Sequence, residues 1–132
     1  SPGWITEGAS AWRWNSGSTG SSDTGPSHDH TTTFGAYYYI ETSSPAQLGD
    51  TFSLRFDGNA ICPCVIWWYH MYGSTMGSLH VKTSNGTIVW RRSGNQGDEW
   101  HKSRVLCLGG GGFEFEGVRG ASWSGDAAVD DV

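Results

Sequence analysis

The stretch that decides the fold is Thr51-Phe52-Ser53-Leu54-Arg55-Phe56-Asp57, in which apolar and polar residues alternate without a break. Because successive side chains of an extended strand point to opposite faces, its two Phe residues and its Leu share one face. The same alternation returns in two further runs, residues 78–82 and 112–116. The pattern predicts β-strands that each bury one face against a core.

Two other runs, residues 35–40 (GAYYYI) and 64–69 (CVIWWY), are apolar on both faces and predict strands that are covered on both sides. Gly- and Asn-rich turn signals separate all these runs, and no segment sustains a helical period. Asn85-Gly86 predicts a hairpin closed by a type I′ turn, which needs a positive φ at both central residues. Many short strands with frequent turns predict an all-β sandwich of two antiparallel sheets.

The composition limits the classes of partner. The chain has 132 residues, 14% of them aromatic, so it supports one folded domain. Its net charge is −5 and it has only eight Lys and Arg residues, which argues against a nucleic-acid partner. The densest basic point, Arg91-Arg92, is interpreted as solvated surface. Every apolar run is far shorter than the ~20 residues of a membrane-spanning helix, so we expect no membrane insertion by this domain.

The three cysteines are Cys62, Cys64 and Cys107. Cys62 and Cys64 are alternate residues whose side chains run parallel in a strand, so a bridge between them is disfavoured. The spacing predicts a disulfide from Cys107 to one of these two, formed in an oxidising compartment. The remaining Cys is either free or bonded outside these residues.

Several sequence blocks resemble MAM domains, the family named from meprin, neuropilin and a receptor tyrosine phosphatase. Residues 24–31 (TGPSHDHT) resemble the family's TGPxxDHT loop, and residues 64–79 resemble its CLxFWYHMYG…MGxL strand pair. Three more blocks follow the family's order and spacing, at residues 39–43, 89–100 and 115–132. Together the matches extend over roughly residues 12–132.

The resemblance implies a jelly-roll β-sandwich and a non-catalytic extracellular module for adhesion or interaction. We therefore expect residues 1–132 to be a single MAM-like domain excised from a larger extracellular protein. The expected partner is an extracellular protein or cell-surface molecule, including a second copy of the domain. The family's opening Cys pair is absent here, so its disulfide pattern cannot be carried over.

A carbohydrate-binding module attached to a secreted polysaccharide-acting enzyme is the alternative function. It rests on Trp12, Trp14 and Trp123, which lie outside the predicted buried strands and are expected to present exposed rings to a glycan. The Trp residues at family positions, by contrast, are predicted to be core residues: Trp67, Trp68, Trp90 and Trp100.

Asp29 in the long loop of residues 15–33 and Asp130 in the last predicted strand are the candidate metal ligands. The resemblance implies a structural cation near these strands, and Ca²⁺ takes carboxylate and carbonyl oxygens as ligands. The alternative is that Asp29 accepts loop N–H groups in an Asx turn and Asp130 faces solvent. Asp50, Asp126 and Asp131 are weaker candidates, since they lie in turns or beside Asp130.

Two further patterns are a candidate catalytic pair and a candidate glycosylation site. Glu114 and Glu116 share one strand face and are the only candidate catalytic pair, but paired glycosidase acids need a suitable separation and an acid with a raised pKa. We expect no catalytic activity. Asn85-Gly86-Thr87 is a glycosylation sequon in an expected exposed hairpin.

Overall fold

The computed structural model describes residues 4–8, 11–32, 34–56, 64–107 and 112–132. These ranges form β-strands and no helix, so they contain no helical segment able to cross a membrane. The strands are β1 (Trp4–Gly8), β2 (Arg13–Asn15), β3 (Tyr37–Tyr39), β4 (Thr51–Phe56), β5 (Cys64–Val65), β6 (Trp68–Met71), β7 (Ser78–Thr83), β8 (Ile88–Ser93), β9 (Gly97–Lys102), β10 (Leu106–Cys107), β11 (Phe113–Val118) and β12 (Ala127–Asp130).

The described strands form two antiparallel sheets of five strands each. Sheet A has the order β1-β4-β11-β7-β8, and sheet B has the order β2-β3-β12-β6-β9. The short strands β5 and β10 form a separate antiparallel pair. The predicted jelly-roll β-sandwich is confirmed.

One continuous core lies between the two sheets. Sheet A contributes Phe52, Leu54 and Phe115, which are all fully buried, as alternation along their strands requires. Sheet B contributes Met71 and Val129 from the other side. The strand patterns read from sequence thus correspond to the two inner faces of the sandwich.

The predicted strand of residues 64–69 is broken in the structure. Trp67 leaves the ladder between β5 and β6, and its N–H donates to Ser103 Oγ at 3.0 Å. Its carbonyl accepts the N–H of Ser103 at 2.8 Å. These two bonds satisfy the backbone at the break and turn the Trp67 ring into the core.

The hairpin between β7 and β8 is confirmed, but the type I′ turn is wrong. Gly86 has φ +87°, whereas Asn85 is not among the residues with positive φ. The N–H of Gly86 donates to Thr83 O at 2.9 Å, and the N–H of Thr83 donates to Thr87 O at 2.9 Å. A three-residue loop with glycine in the left-handed position therefore closes the hairpin.

A disulfide joins Cys64 of β5 to Cys107 of β10. The two residues are directly opposite in the β5–β10 ladder. The predicted bond from Cys107 to one of the two neighbouring cysteines is therefore present. Cys62 lies outside the described residues.

Candidate functional site

The long loop between β2 and β3 packs against the outer face of sheet B. The indole N–H of Trp100 donates to His28 O at 3.0 Å, and the His30 ring stacks on Trp68 with centroids 3.6 Å apart. The Tyr37 hydroxyl donates to Gly17 O, and its ring is fully buried although it lies on the outer side of the sheet. The loop thus makes a second, smaller core on this face.

This cover corrects the expectation for two tryptophans at family positions. Trp67 and Trp90 are buried in the main core as predicted. Trp68 and Trp100 are only half-buried, because they lie on the outer face beneath the loop. Neither ring lies in the main core between the sheets, and Trp100 packs instead against the smaller core on the outer face of sheet B.

Asp29 organises the loop from within. Its Oδ2 accepts the N–H of Thr32 at 2.9 Å and the Thr32 hydroxyl at 3.0 Å, and its Oδ1 accepts the N–H of Gly35 at 3.0 Å. The N–H of Thr32 is the main reason that the pKa of Asp29 lies below its ordinary value. Asp29 therefore forms the Asx-type turn considered as its alternative role.

Asp130 fastens the same loop to sheet B. Its Oδ2 accepts the N–H of His30 at 2.9 Å, and its Oδ1 accepts the N–H of Asp131 at 2.9 Å. Burial raises the pKa of Asp130, and the nearby charge of Asp29 adds to that rise. The structure therefore brings together the two predicted metal ligands, which are far apart in sequence.

The fit of this pair to calcium is partial. Each carboxylate keeps some acceptor capacity, since a carboxylate has about four lone-pair sites and these two accept three and two hydrogen bonds. Ca²⁺ takes about six to eight oxygen ligands. Among the described residues no group of three or more His, Cys, Asp or Glu side chains is placed to hold a metal ion. Loop carbonyls or water would have to supply the remaining ligands.

The three candidate glycan-stacking tryptophans do not form one platform. Trp12 is buried, and its indole N–H donates to Phe52 O at 2.9 Å, so the expectation that its ring is exposed is wrong. The Trp12 ring packs in the core between the sheets. The sequence does not reveal this burial, because Trp12 lies outside the alternating runs. Trp14 is 61% exposed and packs edge-on against Tyr38, and Trp123 is 44% exposed.

Asp126 is a fully buried carboxylate at the junction of the loop and sheet B. Its Oδ1 accepts the N–H of Thr42 at 2.9 Å and the Thr42 hydroxyl at 3.0 Å. Its own N–H donates to Thr24 Oγ1 at 2.9 Å. Its Oδ2 is buried and has no hydrogen-bond partner in the described part of the chain. Burial raises the pKa of Asp126 to about 6.

A pH prediction follows for Asp126. Above pH 6 the carboxylate is charged in both states, and its burial penalises the folded one. Below pH 4 it is neutral in both states and the penalty disappears. A shift from 3.8 to about 6 corresponds to about 2–3 kcal/mol. We therefore expect the stability advantage of Asp126→Asn over the wild type to fall by about this amount between pH 7.4 and pH 4.

Urea denaturation of both proteins in EDTA across this pH range measures the difference. The side chain that Asp126→Asn introduces adds an amide N–H whose burial costs the same free energy at every pH. This cost does not affect the test, because the test uses only the change with pH in the difference between the two unfolding free energies. The titrations of Asp29 and Glu116 are common to both proteins and cancel as well. A difference that stays flat with pH would contradict the prediction.

The acidic pair on β11 is engaged in pairing on the outer face of sheet A. Glu116 Oε2 accepts a hydrogen bond from Lys82 at 2.8 Å, and its Oε1 lies 3.1 Å from His80 Nδ1. Burial alone would raise the pKa of Glu116, but the bonds from Lys82 and His80 outweigh it and hold the pKa below its ordinary value. Glu114 accepts the Ser53 hydroxyl. Glu116 thus lacks the raised pKa of a general acid.

Asn85 is exposed at the tip of the β7–β8 hairpin. Its Oδ1 accepts the N–H of Thr87 at 3.3 Å, and Thr87 is also exposed. The sequon is therefore accessible to a modifying enzyme, and its glycosylation stays a prediction.

A basic groove was not anticipated from sequence. Arg91 and Arg92 of β8 line it together with Arg104, which follows β9. The sequence favours solvated surface for Arg91-Arg92, because a pair of basic residues is ordinarily just that, and both side chains are exposed in the structure. Only the tertiary structure brings Arg104 to the groove that residues 88–92 of β8 line. Arg91 and Arg92 are consecutive in the strand, so their side chains leave opposite faces of β8.

These features define an antiparallel β-sandwich with a disulfide and a long loop over the outer face of one sheet. The family model for the MAM domain, meprin/A5/mu, matches residues 2–132. The chain belongs to the MAM domain family.

Curated relatives show the same assignment. The chain is 43% identical over 124 residues to MAM domain-containing glycosylphosphatidylinositol anchor protein 1 of Rattus norvegicus, covering 85% of the chain and 13% of that protein. It is 36% identical over 132 residues to MAM domain-containing protein 2 of Homo sapiens, covering 93% and 19%. It is 35% identical over 145 residues to neuropilin-1a of Danio rerio, covering 98% and 16%. The chain thus spans less than a fifth of these relatives.

Solved structures share the fold at low sequence identity. The cleaved adhesin domain K2 of Lys-gingipain matches with a TM-score of 0.67 and 14% identity, covering 98% of this chain and 87% of that one. The module TmCBM61, solved with β-1,4-galactotriose, matches with a TM-score of 0.51 and 14% identity, covering 98% and 86%. Family membership and the disulfide agree with the predicted extracellular location.

Proposed function

We propose that this domain is a non-catalytic adhesion module that binds an extracellular protein or a cell surface. The match to the MAM family across residues 2–132 carries the proposal. The loop held by Asp29 and Asp130 covers part of the outer face of sheet B. We infer that a partner binds at the edge strands or at the turns of the sandwich.

Glycan binding is the second candidate function. It is supported by the likeness to TmCBM61 and by the exposed ring of Trp14, which lines a groove of about 150 Å³ with Tyr38 and Asp130. Against it, Trp12 is buried, so it cannot stack on a sugar. Two exposed rings, Trp14 and Trp123, remain from the original three.

One experiment separates the two functions. The domain is coated on beads and tested for bead aggregation and for binding to cells, and in parallel it is applied to a glycan array. We expect bead aggregation or saturable cell binding without selective glycan binding. Selective sugar binding by a strictly monomeric domain, lost in Trp14→Ala or Trp123→Ala, would overturn adhesion in favour of the glycan function. Trp12→Ala is not a useful variant here, since it removes a core ring.

A catalytic role for Glu114 and Glu116 is tested in the same material. We propose no turnover of a polysaccharide panel, because Glu116 is held as a paired carboxylate by Lys82 and His80. Turnover that disappears in a folded Glu116→Gln variant would contradict this.

We also propose that Ca²⁺ binds at Asp29 and Asp130, with loop carbonyls completing its ligands. Their shared position at the loop supports the proposal, although each already accepts N–H groups. Binding to the folded state alone raises stability by about 2.7 kcal/mol at a hundredfold excess over Kd. We expect a higher melting temperature in millimolar CaCl₂ than in EDTA, with MgCl₂ at equal ionic strength as the control. An unchanged melting temperature would exclude the site.

A further inference from the structure

The basic groove lies along one edge of the sandwich. It has a volume of about 490 Å³, and it is lined by residues 88–92 of β8 and by Arg104. Arg91, Arg92 and Arg104 are all exposed. They make up three of the eight Lys and Arg residues in a chain whose net charge is −5. The groove therefore concentrates positive charge on an otherwise acidic domain.

The three arginines lack acidic partners within the described residues. Arg92 donates from Nη1 to Arg91 O, and its guanidinium lies 5.1 Å above the Trp90 ring. The described ion pairs of this domain involve other basic side chains, namely Lys82 and several histidines. Because guanidinium groups pair with carboxylates in bidentate geometry, the groove is complementary to an acidic ligand.

The backbone at this groove is also available. β8 is the last strand in the order of sheet A and pairs only with β7 in the described part of the chain. The free side of an edge strand presents unpaired N–H and C=O groups, which can pair with a strand of another chain. Ile88, at the start of β8, is 43% exposed and adds an apolar contact at one end of the groove.

We propose that β8 receives an extended acidic segment of a partner protein, which adds to sheet A as a further strand. Carboxylates of that segment pair with Arg91, Arg92 and Arg104, and the main chain supplies hydrogen bonds to β8. This inference deepens the proposed adhesive function, on which it rests, by naming the chemistry of the partner. The groove follows five consecutive residues of one edge strand, which favours a peptide over a sulfated glycan that would use the charges alone.

The probe is a fluorescein-labelled peptide of two Glu-Glu-Val-Val repeats, which carries Glu on both faces when it is extended. Its binding to the full domain is measured by fluorescence anisotropy. We expect saturable binding that weakens as salt rises, and a loss of affinity of at least tenfold in the double variant Arg91→Glu/Arg104→Glu. The control is Arg13→Glu, at an exposed position on β2, the edge strand of sheet B. It is compared with the single variants Arg91→Glu and Arg104→Glu, which make the same change in charge. Equal loss in the control and in these single variants, with all of them equally folded by melting temperature, would overturn a groove-specific contact.

A second probe tests strand addition itself. The same peptide with alternate backbone amides N-methylated keeps its charge but cannot form the ladder, so we expect it to bind at least tenfold more weakly. Equal binding of both peptides would overturn strand addition. Tighter, arginine-dependent binding of a heparin hexasaccharide would overturn the choice of a peptide partner.

Cell binding separates the role of the β8 groove from the adhesive function on which that role rests. Loss of bead or cell binding in Arg91→Glu/Arg104→Glu, but not in Arg13→Glu, supports the groove as the adhesive surface. If the double variant keeps wild-type cell binding, the groove is not that surface and adhesion still stands. If the wild type binds neither cells nor beads, the adhesive function itself fails.

Discussion

Replacing Trp67 with Ala is expected to lower the free energy of unfolding by about 3–5 kcal/mol. The Trp67 ring is fully buried between the sheets, with centroids 5.0 Å from the Trp90 ring and 5.4 Å from the Phe115 ring. Truncation therefore removes a large apolar surface and leaves a cavity that the surrounding strands cannot fill. Urea denaturation with a two-state fit measures the loss.

Trp67→Phe is the informative partner of this variant. The Trp67 indole N–H is buried without a hydrogen-bond partner in the described part of the chain. Phe keeps an aromatic ring and removes that unsatisfied donor, so we expect it to cost much less than Ala. Trp123→Ala, at a 44% exposed position, is the surface control. A similar small cost for Trp67→Ala and Trp123→Ala would contradict the central place of Trp67.

Removing the disulfide in a Cys64→Ala/Cys107→Ala variant is expected to cost about 3–4 kcal/mol. The bond closes a loop with a sequence separation of 43 residues, and cross-links of this size restrict the unfolded chain by roughly that amount in the chain-entropy model. Both side chains are exposed, so the substitutions themselves remove little core packing. Equilibrium denaturation under non-reducing conditions measures the change.

Cys62→Ala is the control for this variant, because it leaves both bonded cysteines in place. We expect wild-type stability for it, and wild-type protein with added reductant should match the double variant. A destabilisation by Cys62→Ala equal to that of the double variant would mean that the stabilising bond involves Cys62 instead.

The strands and the site differ in how far sequence predicted them. Phe52 and Leu54 fall on the buried face of β4 because alternation is a local property of an extended chain. The same local logic failed at residues 64–69, where hydrogen bonds from Ser103 interrupt the strand. The type I′ turn failed for a related reason, since the backbone bonds of Thr83 to Gly86 and Thr87 close a three-residue loop in which Gly86 alone has a positive φ.

By itself the sequence determined the alternating strands, which depend on neighbouring residues, and the pairing of Cys107 with one of the two neighbouring cysteines. Only the tertiary structure decided that Trp12 is buried and that Arg104 joins the arginines of β8. Both outcomes depend on which strands of the two sheets pack together. The burial of a side chain and the charge around it depend on residues that are distant in the chain and close in space. A single stretch of sequence therefore does not predict them.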